Sequence, residues 1–394
     1  MTVENLGGIA KLCTGCLSCM NICPQNAIST AYKTDGFLYP VIDGYSCIDC
    51  GLCVKACPIN THIEKTDRLK VYSAAAKSND IRAEGSSGGI FPLLATEFFE
   101  RGGAVYGVAF SREQLAYHMS ADKVGIKALF RSKYIQSNIG LTYRDVERDL
   151  LASREVLFVG TPCQVRGLKC YLKERRVSEA KLITMDFMCH GVPSPRYFNE
   201  FIAREEKEED CLVQEVTFRE KDLGWRRQAV NIYFENNKKK QYLSENSFYY
   251  YFFLKNYNLR ESCYECKEFS NHVSDITVAD HWGVEKQEDD DGGRSLIIVH
   301  TPKGDKQLQN ILNNCEVREL EENQYNENIY SHHKYDIKLK RKWLSVYIER
   351  GEEYTSKVFF KKEKINGRIR GILSQFLQCV KKIIKAVLKG KSDI

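Results

Sequence analysis

Eight cysteines near the start of the chain fall into two copies of one pattern, and this constrains the fold more than anything else in the sequence. Cys13, Cys16, Cys19 and Cys23, with Pro24 behind them, recur 34 residues later as Cys47, Cys50, Cys53 and Cys57 with Pro58. Each copy reads C-x-x-C-x-x-C-x-x-x-C-P. Three cysteines at three-residue steps wrap a tight loop around one face of an iron–sulfur cube, so their thiolates reach three irons. The fourth cannot bend back to that cube; in this arrangement it is expected to begin a helix and ligate the other one. The spacing therefore assigns Cys13, Cys16, Cys19 and Cys57 to one 4Fe-4S cluster, and Cys47, Cys50, Cys53 and Cys23 to a second. Two zinc knuckles are the competing reading, but zinc sites more often pair C-x-x-C units a dozen or more residues apart. The intervening residues, through Gly36 and the apolar piece 37–42, suit a hairpin in a small pseudo-symmetric unit. An α+β ferredoxin-like N-terminal domain is expected over 1–63.

The rest of the 394 residues, 43% of them hydrophobic, is long enough to bury a core of its own. A polar connector over 64–70 leads into alternating apolar runs and helical patterns, the mark of an α/β body over 70–350. Buried strands are predicted at 71–76, 104–110, 156–159, 182–187, 276–279 and 296–299. Helices are expected over 88–101 and 248–257, and 211–234 reads as a hairpin turning at Asp222-Leu223-Gly224. The chain has sixteen cysteines, clustered rather than scattered as in a secreted disulfide framework. Nothing in Met1 to Lys11 reads as a secretory signal, and no run of eighteen apolar residues occurs. A cytoplasmic location, where thiols stay reduced, is expected.

Four body cysteines form a second constellation. Cys163 and Cys189 each follow a predicted strand, in Gly160-Thr161-Pro162-Cys163 and Cys189-His190-Gly191, while Cys263 and Cys266 form a C-x-x-C pair. In an open α/β sheet the carboxyl ends of the strands are where ligands bind. Two thiols from that edge meeting the pair would hold a third 4Fe-4S cluster; a redox disulfide at Cys263 and Cys266, or a zinc site, remains open. Cys170, Cys211 and Cys315 read as small core residues. The loop Gly85-Ser86-Ser87-Gly88-Gly89 opens the 88–101 helix, and its N–H groups would cradle an anion such as a nucleotide pyrophosphate, although such a loop is often only a turn. Ser132, Lys133 and Ser137 are polar positions in a plain stretch; the Lys133 ammonium would suit a reduced flavin, or is a surface lysine.

In their order along the chain, the ferredoxin runs, Gly85–Ile90, Arg131–Ser137, Gly160–Gln164, Met188–Gly191 and Cys263–Cys266 followed by Asp275–Gly283 resemble the coenzyme F420 hydrogenase/dehydrogenase beta-subunit family, fused behind a two-cluster ferredoxin domain. The resemblance covers roughly residues 7–285. It implies a flavoprotein with FAD and an iron–sulfur cluster on Cys163, Cys189, Cys263 and Cys266, with Gly85 to Gly89, Ser132, Lys133 and Ser137 near the flavin. Archaeal members reduce the deazaflavin coenzyme F420, and fused relatives occur among bacterial surface-polysaccharide genes. His281, with Asp280 beside it, stands where the family often has an aromatic residue; it is a candidate proton donor near the flavin, or a structural hydrogen-bond partner.

Of the net charge of +6, the stretch 355–394 contributes +9, from eleven Lys or Arg against two acids, leaving the rest slightly acidic. That argues against nucleic acid as a partner of the body. Apolar residues from Ile369 to Leu388 fall in one helical stripe with lysines around it. A basic amphipathic C-terminal helix over 355–394 is expected, able to adsorb to the anionic inner face of a membrane or to dock on protein. The function expected from all this is an FAD-dependent iron–sulfur oxidoreductase acting with a redox partner protein or a small-molecule acceptor. The alternative is an electron-transfer adaptor without a substrate of its own.

Overall fold

In a computed structural model the described residues are 11–268, 271–321, 324–325 and 337–361. The chain divides after residue 337 into two units. Of the second, residues 338–361 are helical, with the Trp343 and Tyr347 rings stacked one turn apart at 5.2 Å. The basic stripe from 369 onward lies outside the described residues. Among those described, no helix is long and apolar enough to cross a membrane.

The first unit is a mixed α/β structure with a ferredoxin-like region at its start. Each cysteine run carries a short helix, α1 (Ser18–Ile22) and α2 (Leu52–Lys55), and between them β1 (Ile28–Tyr32) and β2 (Leu38–Ile42) pair antiparallel. The fourth cysteine does not begin a helix, contrary to the expectation: Cys23 sits at the end of α1 with ψ 115°, extended. Pro24 accounts for the stop, since its ring pushes the preceding residue out of the helical region, and the chain then turns directly into β1.

Behind this region stands an eight-stranded sheet made of β3 (Lys70–Ala76), β4 (Ala104–Ser111), β5 (Leu115–Ser120), β6 (Val156–Val159), β7 (Leu182–Phe187), β11 (Ile276–Asp280), β12 (Ser295–Val299) and β13 (Cys315–Glu319), in the order β13-β3-β12-β11-β7-β6-β4-β5. Its centre, β4-β6-β7-β11, is parallel. These strands have both faces covered, which is why they read as continuous apolar runs in the sequence. The outer strands are antiparallel. One face is closed by α3 (Ile90–Glu100) and by the helix Pro302–Leu312, through Leu93, Leu94, Phe98, Leu308 and Ile311. On the other face, α4 (Thr142–Leu151) and α5 (Pro162–Arg175) pack Tyr143, Val146, Val165 and Leu168 against β4 and β6. Leu17, Ile22 and Ala56 of the ferredoxin-like region join this second core, so the cysteine runs rest on α4 and α5. The predicted hairpin is part of a separate antiparallel sheet of β8 (Val213–Phe218), β9 (Ala229–Phe234) and β10 (Lys239–Leu243).

Candidate functional site

The carboxyl ends of the parallel strands open into a cavity of about 540 Å³. Residues that follow β6, β7 and β3 line it: Gly160 and Thr161, Met188 to Pro193, and Gly85 to Ser87 with Gly89. Strand β11 adds Val278 to Asp280. This is where an open α/β sheet places its ligands, and the volume is in the usual range for a small-molecule site.

The Gly-Ser loop forms one end. The first intrahelical donor of α3 is Leu93, whose N–H reaches Gly89 O at 3.2 Å, and Pro92 has no N–H, so the N–H groups of the preceding residues belong to the open helix end. Gly88 is pressed against the sheet: a Cβ there would stand 2.3 Å from Ala74 O, and its N–H donates to Ser295 Oγ at 2.9 Å. Two expected site residues 46 positions apart meet directly, Ser132 N–H donating to Ser86 Oγ at 2.8 Å. Ser137 also lines the cavity, but its hydroxyl is engaged, accepting from Gln164 Nε2 at 2.9 Å and lying 3.1 Å from His118 Nδ1.

Lys133 lines the cavity and donates from Nζ to the carbonyls of Ala128 at 2.8 Å and Phe130 at 2.5 Å. Burial brings its pKa down to about 7, with Arg131 pushing the same way against Glu215. Its loop is anchored by the aromatic helix Phe248–Leu254. The Tyr134 ring packs on Tyr250 and Phe253 at 5.3 and 5.0 Å.

Three features of this wall had no signal in the sequence. Arg219 pairs with Asp280 at 2.9 Å, and Trp225 stacks on Trp282 with ring centres 4.5 Å apart. Lys221 donates to Ser87 O, and burial first, then Arg82 and Arg219, brings its pKa down to about 7. Arg219, Lys221 and Trp225 flank the Asp222-Leu223-Gly224 turn of the expected hairpin, while Asp280 and Trp282 come from the end of β11. Only the pairing of three segments reveals their common address.

Of the two residues expected beside a reacting group, Asp280 lines the cavity, but its carboxylate is held by Arg219 and accepts from Trp225 Nε1 at 3.2 Å. His281 is not in the lining. It is buried, with Nδ1 2.8 Å from Ser73 Oγ, and burial, reinforced by Arg318 and Arg294, takes its pKa to about 4. Side chains of adjacent residues at a strand end alternate between faces, so Asp280 and His281 do not share a site.

The cysteines gather in three sets. Burial pushes the Cys163 thiol well up, and Cys189, Cys266 and Cys263 push in the same direction, so these four stand together. Cys189 responds to Cys263 and Cys266 and also lines the cavity. Cys263 and Cys266 stand as thiols, with no disulfide between them. The second set is Cys16 with Cys57 and Cys13, and Cys19 with the same neighbours. The third includes Cys47, Cys50 and Cys53. No three or more His, Cys, Asp or Glu among the described residues close around a single-ion position. The first two sets adjoin. Cys16 is within electrostatic reach of Cys163, and it packs on Gly167 of α5, where a Cβ would stand 2.8 Å from Cys16 Cβ and 3.0 Å from its Sγ.

Grouped, buried thiols beside a strand-end cavity suit iron–sulfur chemistry. Two family models bear on this chain: residues 12–61 match a 4Fe-4S dicluster domain, and residues 153–323 match the family described as the C terminus of the coenzyme F420 hydrogenase/dehydrogenase beta subunit. The chain thus carries a stretch that matches a dicluster ferredoxin domain and, after it, one that matches the C-terminal region of that beta subunit.

The dicluster region is 42% identical over 59 residues to an uncharacterized ferredoxin of Methanocaldococcus jannaschii, covering 14% of this chain and 36% of that protein. It is 38% identical over 45 residues to the ferredoxin-type protein NapF of Haemophilus influenzae, covering 11% and 26%. The matches thus span about a third and a quarter of those relatives. Among solved structures, a chain of the F420-reducing NiFe hydrogenase complex of Methanosarcina barkeri is similar, with a TM-score of 0.47, 15% identity, and coverage of 74% of this chain and 94% of that one.

Proposed function

We propose that this chain is an iron–sulfur flavoprotein oxidoreductase. In this reading Cys13, Cys16, Cys19 and Cys57 hold one 4Fe-4S cluster, and Cys47, Cys50, Cys53 and Cys23 a second. Cys163, Cys189, Cys263 and Cys266 hold a third, and the strand-end cavity takes FAD. When bound, such clusters exchange single electrons and a flavin pairs two of them for a hydride-type acceptor. The observation that carries the reading is that Cys189 belongs both to the four-thiol set and to the cavity wall.

The residues present suit the cofactor's chemistry. The open N-terminus of α3, with Ser86 and Ser87 before it, suits a pyrophosphate. Arg131, Lys133 and Arg219 line the cavity and give it a cationic wall for an anionic ring or phosphate. Lys133, near neutrality at its Nζ, can hold or release a proton there. Arg219 and Asp280, locked to one another, orient the wall instead of exchanging protons. Cys50 is exposed, and Tyr45 and Ile48 beside it are exposed as well, which suits a transient encounter with a redox partner protein. The same reading leaves room for coenzyme F420 or an intermediate of surface-polysaccharide synthesis as acceptor, and for the basic tail to hold the protein at the inner face of the membrane.

Purification without oxygen tests it. About twelve irons per chain together with extractable FAD is the expected result. About eight irons and no flavin would overturn it in favour of an electron-transfer adaptor. Reoxidation of the reduced protein by candidate acceptors, the deazaflavin among them, then identifies the substrate class.

A further inference from the structure

Arg260 is fully buried, and it lies between the first cysteine run and the C-x-x-C pair. Its Nε donates to Cys13 O at 2.7 Å, and one terminal nitrogen donates to Gln136 Oε1 at 2.8 Å and Leu38 O at 3.1 Å. The other terminal nitrogen lies 3.7 Å from Cys13 Sγ. The Tyr39 ring covers the guanidinium at 4.0 Å and Phe37 at 5.4 Å. Its own carbonyl accepts from Cys263 N–H at 2.9 Å, so the residue is continuous with the turn that begins the C-x-x-C pair.

Among the described residues, the oxygens its side chain donates to belong to neutral carbonyls and an amide. A buried charge normally has a counter-charge, because desolvation without one is very unfavourable. Four thiolates on a 4Fe-4S cluster carry net negative charge, and that charge grows by one when the cluster is reduced.

We propose that Arg260 is a positioning residue that raises the reduction potential of the cluster on Cys13, Cys16, Cys19 and Cys57 by supplying a buried positive charge at its Cys13 thiolate. This rests on the proposed cluster assignment. The step affected is the gain of one electron by that cluster, with no bond made or broken and no proton required. A cation fixed at the ligand stabilises the more negative, reduced state, and a low local dielectric strengthens the effect. At the second cluster Arg144 reaches the carbonyl of Cys23 at 2.8 Å, but among the described contacts no arginine or lysine nitrogen reaches a ligand sulfur there. The asymmetry makes the buried cluster the better acceptor of the two and favours electrons moving inward from the exposed run.

The test is an EPR-monitored redox titration of the full chain, purified without oxygen, in the wild type, Arg260→Gln, Arg260→Lys and Gln136→Glu. Gln136→Glu leaves Arg260 in place but sets a carboxylate where its 2.8 Å amide partner now stands. It therefore keeps the proposal testable if Arg260→Gln does not fold. For Arg260→Gln and Gln136→Glu we expect the reduced-to-oxidised ratio of one cluster, at fixed potential, to fall at least tenfold, a downward shift of 59 mV for one electron. The other signals should stay in place. Arg260→Lys, keeping the charge, should retain most of the wild-type potential, whereas a residue needed only for its hydrogen bonds would not be rescued by lysine. Two clusters present by iron content, with potentials unmoved in Gln136→Glu and in any folded Arg260→Gln, would overturn the role of Arg260 alone. Wild-type protein lacking two reducible clusters would overturn the assignment beneath it as well, and iron analysis distinguishes that case.

Discussion

The two cysteine runs have one spacing and two environments. Around the first, Cys16, Leu17, Ser18 and Asn21 are buried, and the body grips the segment. Arg144 of α4 donates to the carbonyls of Asn21 at 2.7 Å and Cys23 at 2.8 Å, and Asn21 Nδ2 donates to Gly140 O at 2.8 Å. Around the second, Cys50, Ile48 and Tyr45 are exposed, and the segment touches the core chiefly through Ala56. Spacing thus sets which thiols can share a cube, while surroundings set what each cube can do. A buried site is shielded, tunable and close to the next set of thiols; an exposed one can meet a partner.

The largest expected effect separates the runs by their ligands. Cys16→Ala and Cys50→Ala should each cost about four irons per chain. Because metal binding is folding energy where ligands are packed into the structure, only Cys16→Ala should also lower the thermal midpoint of the body and block reduction, from an external donor, of the flavin proposed for the cavity. Equal midpoints for the two variants, measured by anaerobic calorimetry, would erase the distinction.

A smaller effect comes from backbone approach. Helix propensity alone predicts that Gly167→Ala stabilises α5 by about 1 kcal/mol. The added carbon would instead press on Cys16 Cβ at 2.8 Å and on Tyr143 Oη at 3.0 Å. We expect the clash to win, with net destabilisation of about 1–3 kcal/mol. Gly44→Ala beside the second run meets nothing within 4 Å and should stay within about 0.5 kcal/mol of wild type. Denaturant titration of both variants decides the sign. Smaller again, Arg144→Ala should cost about 1 kcal/mol, since its partners are part-buried carbonyls, and should speed iron loss from the cluster that Cys23 is proposed to share with the second run.

These contrasts follow the line between what was legible in the sequence and what was not. That the two cysteine runs make a dicluster region was readable because ligand spacing is local geometry. The placement of Cys163 and Cys189 was readable because each follows an apolar run that can only be a buried strand. The outlines of β5 and β13 were missed: both are short, and each pairs on one side only at a sheet edge. Arg144, Arg219 and Arg260 were missed for a different reason. Arg260 and Cys13 are 247 positions apart, and nothing in a lone arginine tells that its partner will be a thiol. That the fourth cysteine begins a helix was a wrong expectation: Cys23 closes one, and β1 follows within five residues.

The least dramatic prediction tests whether packing alone, without iron, keeps the runs different. The thiolate is the species that reacts with an alkylating agent. Burial pushes Cys16 and Cys19 well above the ordinary thiol value of 9.0, and the neighbouring cysteines push the same way. In chain stripped of iron by a chelator under reducing conditions, both should therefore stay protonated and unreactive at pH 8, while exposed Cys50 is modified at least tenfold faster by iodoacetamide. The sign for stability follows from linkage. Above pH 9 the unfolded thiols lose protons that the folded ones keep, so the stability of the iron-free chain should fall as pH rises through that value. Mass-spectrometric mapping of short labelling pulses across pH 7 to 9.5 reads both. Labelling of Cys16 as fast as Cys50 would mean that the first run opens once iron is gone. The difference between the runs would then belong to the clusters and not to the contacts of Gly167 and Arg144.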